Sequence, residues 1–194
     1  MSLNVNEIFY SLQGEGGRQG EASVFIRLSG CNLNCDFCDT DSSTGKIMSC
    51  EQILEKIIQY PCRWIVWTGG EPTLQLNDDC VDFFKQAGFS QAIESNGHNP
   101  LPKMLNYTAV SPKGNTDYAK INNPHVDEIR MTIRKNDILP AIESLPKAKK
   151  YLLSPIFSKK ICETKANINW CVEQVKLNTQ WKLSLQIHKL IGID

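Results

Sequence analysis

Short apolar runs alternate with longer amphipathic stretches along this chain. Val24–Leu28 (VFIRL) reads as a strand. Ser49–Tyr60 places Ile53, Leu54, Ile57 and Ile58 on one stripe at helical spacing, with Ser49 as N-cap and Pro61 as the stop. Trp64–Trp67 (WIVW) is a continuous apolar strand ended by Gly69-Gly70. Asp79–Ala87 is helical, and Gly88 supplies its C-terminal turn. Strands follow at Gln91–Glu94, Tyr107–Ser111 and Glu128–Ile133, then a short helix around Ile138–Ser144, a strand at Tyr151–Ser154, a helix at Lys165–Lys176 and a last strand at Trp181–Gln186.

This alternation, with strands apolar on both faces, predicts an α/β fold with a mostly parallel sheet. Several connections are too short for a full helix. A complete eight-fold barrel takes about 250 residues, and this chain has 194. The expectation is therefore a single domain over residues 1–194, an incomplete, open TIM-like barrel flanked by few helices. In such sheets chemistry collects at the carboxyl ends of strands. Gly69-Gly70-Glu71, Glu94–Gly97, Ser111-Pro112-Lys113 and Ser154-Pro155 all fall there.

Composition narrows the picture. Hydrophobic residues make up 41% and charged residues 22%, as in an ordinary globular domain, and the formal net charge is +0. No global basic field asks for nucleic acid. No apolar run approaches the ~20 residues of a membrane span, and MSLNVNEIFY lacks the build of a signal peptide. A cytoplasmic location follows as the expectation, and with it free thiols rather than disulfides. Cys50, Cys62, Cys80, Cys162 and Cys171 are scattered and read as small buried or half-buried residues.

The other three cysteines lie close together, in GCNLNCDFCDTD, as Cys31-x3-Cys35-x2-Cys38. A zinc site closes with four ligands, usually in paired C-x2-C units, and no second pair exists downstream, so Cys50, Asp39 or His98 would have to be recruited. A redox pair of Cys35 and Cys38 leaves Cys31 idle, and inert structural thiols fit badly among Asn32, Asn34, Asp36 and Asp39. A cubane iron–sulfur cluster suits the count better. Its four irons each want a thiolate, so three cysteines leave one iron open to chemistry.

C-x3-C-x2-C after one strand, followed by Thr-Gly-Gly-Glu-Pro after the next, resembles the radical S-adenosylmethionine enzymes. The resemblance implies a [4Fe-4S] cluster on Cys31, Cys35 and Cys38, with S-adenosylmethionine chelating the open iron. One-electron cleavage of the sulfonium would then yield methionine and a 5′-deoxyadenosyl radical. Gly69 and Gly70, lacking Cβ atoms, would let the backbone approach the methionyl ammonium, and Glu71 would set a carboxylate near it. The rim formed by Glu94, Ser95, Asn96, Ser111 and Lys113 is implied for the cofactor's carboxylate and ribose. Ser154 stands where relatives carry glutamine before the proline, so a side-chain contact to the adenosyl group shortens there or passes to the backbone.

Within that superfamily, EIFYSLQGEGGRQGEASVFIRLSGCNLNCDFCDTD, WTGGEPTLQ, IESNG, VSPKG, DEIRMTI, LLSPIF and LSLQIHKLIG together resemble the 7-carboxy-7-deazaguanine synthases. That family converts 6-carboxy-5,6,7,8-tetrahydropterin to 7-carboxy-7-deazaguanine with loss of ammonia. It uses magnesium, and S-adenosylmethionine is regenerated. Gln13, Gly14 and Glu15 are then implied for the pterin edge, Arg27 for the substrate carboxylate, Thr40 for magnesium, and His188 and the terminal Asp194 for the substrate. An electron donor of flavodoxin or ferredoxin type and a homodimer are implied as partners. A glycyl-radical activase, which would need a protein partner, and a non-catalytic zinc or iron module are the rival readings.

Overall fold

The computed structural model describes residues 1–113 and 125–193. Asp194 and the glycine of VSPKG lie outside them. The described elements run β1 (Ser2–Leu12), β2 (Ala22–Leu28), β3 (Lys46–Ser49), α1 (Cys50–Ile57), β4 (Trp64–Gly69), α2 (Asp78–Gln86), β5 (Ser90–Ser95), β6 (Tyr107–Val110), β7 (His125–Ile133), β8 (Lys147–Pro155), α3 (Ile161–Leu177), β9 (Trp181–Leu183) and α4 (Ile187–Ile191). They form one sheet of order β3-β1-β2-β4-β5-β6-β7-β8-β9. Pairing is antiparallel for β3/β1/β2 and parallel from β2 onward. The sheet's ends, β3 and β9, do not pair, so the expected open barrel of mostly parallel strands stands. Among the described residues no helix is long and apolar enough to cross a membrane.

Local chemistry explains most of the elements. Ser49 caps α1 through a capping box with Gln52. Asn77 caps α2, accepting from Cys80 N. Gly88 leaves α2 at φ +85°, the left-handed turn that glycine takes without strain. β4 is buried through Ile65, Val66 and Trp67, as a strand covered on both faces should be. Two apolar clusters flank the sheet. One joins β1–β5 to α1 and α2, and the other joins β6–β9 to α3.

The structure departs from the sequence expectation in several places, and two strands, β1 and β3, form where none was expected. β1 is the longest of the described strands, yet it carries a bulge between Val5 and Glu7 that breaks its alternation. The helix expected around Ile138–Ser144 shrinks to one 3-10 turn, Ile142–Ser144. Pro140 explains this, since its ring removes an N–H donor and disfavours helix at the residue before it. The last strand stops at Leu183, and the chain re-forms as α4, so His188 sits on a helix and not on a strand. Among the scattered cysteines, Cys50, Cys80 and Cys171 are buried and Cys62 half-buried, but Cys162 is exposed on α3. Burial pushes the Cys50 and Cys171 thiols up to about 12, with Cys80 adding to the effect on Cys50.

What positions the site is the segment between β1 and β2. Gly16 N donates to Ser184 Oγ at 2.9 Å, just past β9, and Gly17 N donates to Glu128 Oε2 at 2.6 Å, on β7. A Cβ at Gly16 would lie 2.3 Å from Glu128 Oε1, and one at Gly17 would lie 2.3 Å from the Tyr107 hydroxyl. Gly16 also has φ +76°, where glycine is unstrained, while a side chain at Gly17 would have to push the Tyr107 and Lys150 side chains aside. The loop thus reaches from β1 to β7 and to the segment after β9, and Gln13, Gly14 and Glu15 on it border the interior.

Candidate active site

A cavity of about 610 Å³ occupies that interior. Its wall includes Cys31, Cys35, Cys38, Gly69, Gly70 and Glu71, and also Gln13, Gly14, Glu15, Glu94, Ser154 and His188. Every residue expected at a site from the sequence, within the described part of the chain, borders this space, including Arg27, Thr40, Ser95, Asn96, Ser111 and Lys113.

The cysteine loop follows β2. Cys38 N donates to Cys35 O at 3.2 Å, which turns the loop so that the thiols face the cavity. Cys31 and Cys38 are exposed and Cys35 is half-buried. Burial raises the Cys35 thiol; Lys113 opposes this, and Cys38 and Cys31 reinforce it. Among the described residues no three such side chains converge on a single metal-ion point. A cubane cluster asks for no such convergence, because each thiolate binds a separate iron.

Gly69 and Gly70 press against the base of the same loop. Gly69 has φ +120°, and a Cβ there would meet Leu28 O at 2.2 Å. A Cβ on Gly70 would meet Gly30 O at 1.9 Å and Cys31 N at 3.0 Å. Glu71 N and Gly70 N donate to Gly30 O and Leu28 O at 2.8 and 3.0 Å. The two glycines therefore have a second reason to be glycine beyond the approach of a ligand: they let the cysteine loop dock on the strand end. The absence of side chains also leaves a bare backbone facing the cavity, which suits a cofactor chelated at the adjoining cluster.

Glu71 is 1% exposed. Its Oε1 accepts from Thr73 N (3.1 Å), Thr73 Oγ1 (2.6 Å) and Ser95 Oγ (2.8 Å), and its Oε2 accepts from Asn96 N (2.7 Å). Most of the acceptor capacity anticipated for a ligand ammonium thus holds the ends of β4 and β5 together, with room for one further donor on Oε2. Asn96 Nδ2 reaches Asn32 Oδ1 at 2.7 Å, linking this corner to the cysteine loop. Glu71→Gln replaces one acceptor oxygen by an NH2 group, which then faces the donor or donors that this oxygen served, and it removes the charge from the rest. We expect it to cost about 2–3 kcal/mol, read as a melting temperature lower by roughly 4–12 °C in a chain of this size. An unchanged melting curve would contradict this description of the corner.

Lys113 Nζ donates to Ser111 Oγ (2.6 Å) and Thr132 Oγ1 (2.8 Å), and Ser111 Oγ donates to Arg130 O (2.7 Å). Arg27 Nη1 donates to Thr40 Oγ1 at 3.3 Å, while its Nε pairs with Glu7 at 3.0 Å. The charge within an apolar strand is explained: its guanidinium leaves the sheet over the Phe9 ring, 5.0 Å from its centre, and borders the cavity.

The floor holds the residues that the sequence reading missed. β7 alternates Glu128, Arg130 and Thr132 toward the interior with Ile129, Met131 and Ile133 in the apolar cluster behind. Glu15 accepts from Ser154 Oγ (2.9 Å) and Gln186 Nε2 (2.8 Å). Burial works against its charge, but Arg130, then Gln186 and Ser154, outweigh this and hold its carboxyl below the usual range. Gln13 Nε2 donates to Glu94 Oε1 at 2.9 Å, and Arg130 pairs with Glu94 Oε2. Glu94 is thus engaged at the floor, whereas its neighbours Ser95 and Asn96 serve Glu71. Ile187 N donates to Gly14 O at 2.9 Å, and a Cβ at Gly14 would fall 1.9 Å from His188 Nδ1. Burial lowers the His188 pKa and the Glu15 charge opposes this. The strict polar–apolar alternation of EIRMTI was the signal for Arg130 and Thr132.

The family description "Radical SAM superfamily" matches residues 25–157. The chain is 39% identical to a 7-carboxy-7-deazaguanine synthase of Bacteroides thetaiotaomicron over 193 residues, covering 100% of both. It is 40% identical to one of Haemophilus influenzae, covering 100% of this chain and 95% of the relative. The crystal structure of QueE from Escherichia coli superposes with a TM-score of 0.73 at 26% identity, over 95% of this chain and 94% of that one. With the superfamily model matching most of the chain and these relatives matching nearly its whole length, the chain belongs to the 7-carboxy-7-deazaguanine synthase family of the radical S-adenosylmethionine superfamily.

Proposed function

We propose that this chain converts 6-carboxy-5,6,7,8-tetrahydropterin to 7-carboxy-7-deazaguanine with loss of ammonia. The observation that carries the reading is that one cavity is lined both by Gln13, Gly14, Glu15 and His188 and by the three cysteines. The cysteines would hold a [4Fe-4S] cluster. Gly69, Gly70, Glu71, Ser95, Asn96, Ser111 and Lys113 surround the place where S-adenosylmethionine would chelate its open iron. Cluster and cofactor together supply one-electron cleavage of a carbon–sulfur bond and, with it, hydrogen-atom abstraction.

The chain's own residues bind and orient the pterin. A carboxylate kept ionised at Glu15 accepts from the N–H edge of an aminopyrimidinone. Gln13 Oε1 is a buried acceptor with no hydrogen-bond partner among the described residues, which suits the same edge. The Gly14 backbone lets the edge lie close. Arg27 offers a guanidinium fork to the substrate carboxylate. Thr40, beside it, offers a hydroxyl to magnesium along with substrate oxygens and water. The His188 ring packs on Gly14 and closes the side of the cavity.

The test is anaerobic turnover of carboxypterin by reconstituted enzyme with S-adenosylmethionine, magnesium and a one-electron reductant, and no other protein. Formation of the deazaguanine supports the reading; a requirement for a protein substrate would favour a glycyl-radical activase instead. Gly14→Ala probes the substrate end. The new Cβ displaces His188, so KM for the pterin should rise by about tenfold or more, the effect of losing one charge-assisted contact. An unchanged KM would remove Gly14 and His188 from the substrate's surroundings.

A further inference from the structure

One guanidinium under the cavity meets three carboxylates. Arg130 Nε lies 3.7 Å from Glu15 Oε2, its Nη1 lies 3.4 Å from Glu128 Oε1, and its Nη2 is paired with Glu94 Oε2. The arginine side chain is 7% exposed. The three acids come from separate elements: the loop after β1, the end of β5, and β7 itself. Of these, Glu128 is otherwise committed to the protein, accepting from Tyr107 Oη (2.7 Å) and Gly17 N (2.6 Å), and burial raises its pKa. Glu15 and Glu94 border the large cavity.

We propose that Arg130 is the positioning residue of the substrate floor: its fork sets Glu15 and Glu94 side by side, so that Glu15 and the Gln13 amide bonded to Glu94 meet the pterin edge in register. The proposal rests on the reading of the cavity floor as the pterin site. Geometry favours it over a structural role alone. A planar fork can serve two carboxylates at fixed mutual angle, whereas an ammonium is a point charge. Two half-buried acids bordering one void would repel each other without the arginine between them. Among the described residues Nη1 makes no hydrogen bond and pairs only with the Glu128 carboxylate, at 3.4 Å, so the closest contact of the fork goes to Glu94, an acid that borders the cavity.

The sign of a pH effect follows. Glu15 is faced by Arg130 and Glu128 on β7, Ser154 on β8, Gln186 and His188 of the C-terminal segment, and Lys113 after β6. Arg130 is the largest of the influences lowering its pKa. Removing it raises that pKa, so the ionised carboxylate is lost at higher pH on acidification.

The experiment measures equilibrium binding of carboxypterin to reconstituted holoenzyme with S-adenosylmethionine but without reductant, across pH, for wild type, Arg130→Met and Arg130→Lys. Steady-state kcat and KM are measured in parallel. For Arg130→Met we expect affinity weaker by about tenfold to a hundredfold, an acid limb displaced to higher pH, and unchanged S-adenosylmethionine binding. For Arg130→Lys we expect the wild-type acid limb, since the charge persists, with affinity still reduced about fivefold or more by loss of the fork. Should Arg130→Met fail to fold, Arg130→Lys decides alone. Wild-type pterin affinity in the lysine variant, or equal loss of pterin and S-adenosylmethionine binding in either variant, overturns the proposal. A wild-type enzyme that does not bind carboxypterin overturns the functional reading itself.

Discussion

Cys35→Ala is expected to abolish both the cluster and turnover, with activity falling to the background of the reductant alone. Three thiolates are the minimum that leaves one iron of a cubane open while anchoring the rest. Cys35 stands between the other two, closing the turn to Cys38 N and sensing both sulfurs. Removing it leaves two anchors on an exposed loop. The same protein should still fold, because the loop outside the thiols is held by Gly30 O, Ser29 Oγ and Asn32 contacts to strand ends. Anaerobic reconstitution followed by iron analysis, circular dichroism and product assay checks this. A variant that retains the full iron content, or retains product, would show that Cys35 is not a ligand.

The second large effect is expected at Gly70. Its Cβ in Gly70→Ala would sit 1.9 Å from Gly30 O, a backbone atom that has no rotamer to yield. The cysteine loop must then lift from β4, carrying Cys31 with it. We expect activity reduced by about a hundredfold or more, since small misplacements of reacting groups cost that much. The reduction should come with partial loss of iron and a lower melting temperature. Gly88→Ala is the contrast: nothing lies within 4 Å of its Cβ, so only the strain of φ +85° is felt, as lost stability with normal iron content. If Gly70→Ala reconstitutes fully and turns over normally, the glycine pair does not fasten the cysteine loop.

How much of this was legible in the sequence depends on whether the signal was local. Cys31, Cys35 and Cys38 announce themselves by spacing, and Gly69-Gly70 by following an apolar strand. Helix ends were readable from Ser49 and Gly88, because capping is decided within a few residues. β1 was not, because its apolar positions are interrupted at the bulge and its partner β2 supplies the pairing. α4 was not, because IHKLI is too short to show a helical period and is fixed by Ile187 N bonding to Gly14 O, far away in sequence. Glu71 and Glu94 were both recognised as strand-end acids, but their partners are not readable locally. Thr73 beside Glu71 is local, but its other two donors come from Ser95 and Asn96 at the end of β5, and those on Glu94 come from the loop after β1 and from β7. Arg130 was hidden for the same reason: its three carboxylates are 2, 36 and 115 positions away.

The most direct measurement is spectroscopic, on oxygen-free reconstituted protein before and after adding S-adenosylmethionine. The account predicts about four irons per chain in a cubane whose three cysteine-bound irons are unchanged by the addition and whose fourth changes its signal as it gains nitrogen and oxygen ligands. A single tightly held zinc, or a cluster indifferent to the added cofactor, would contradict it.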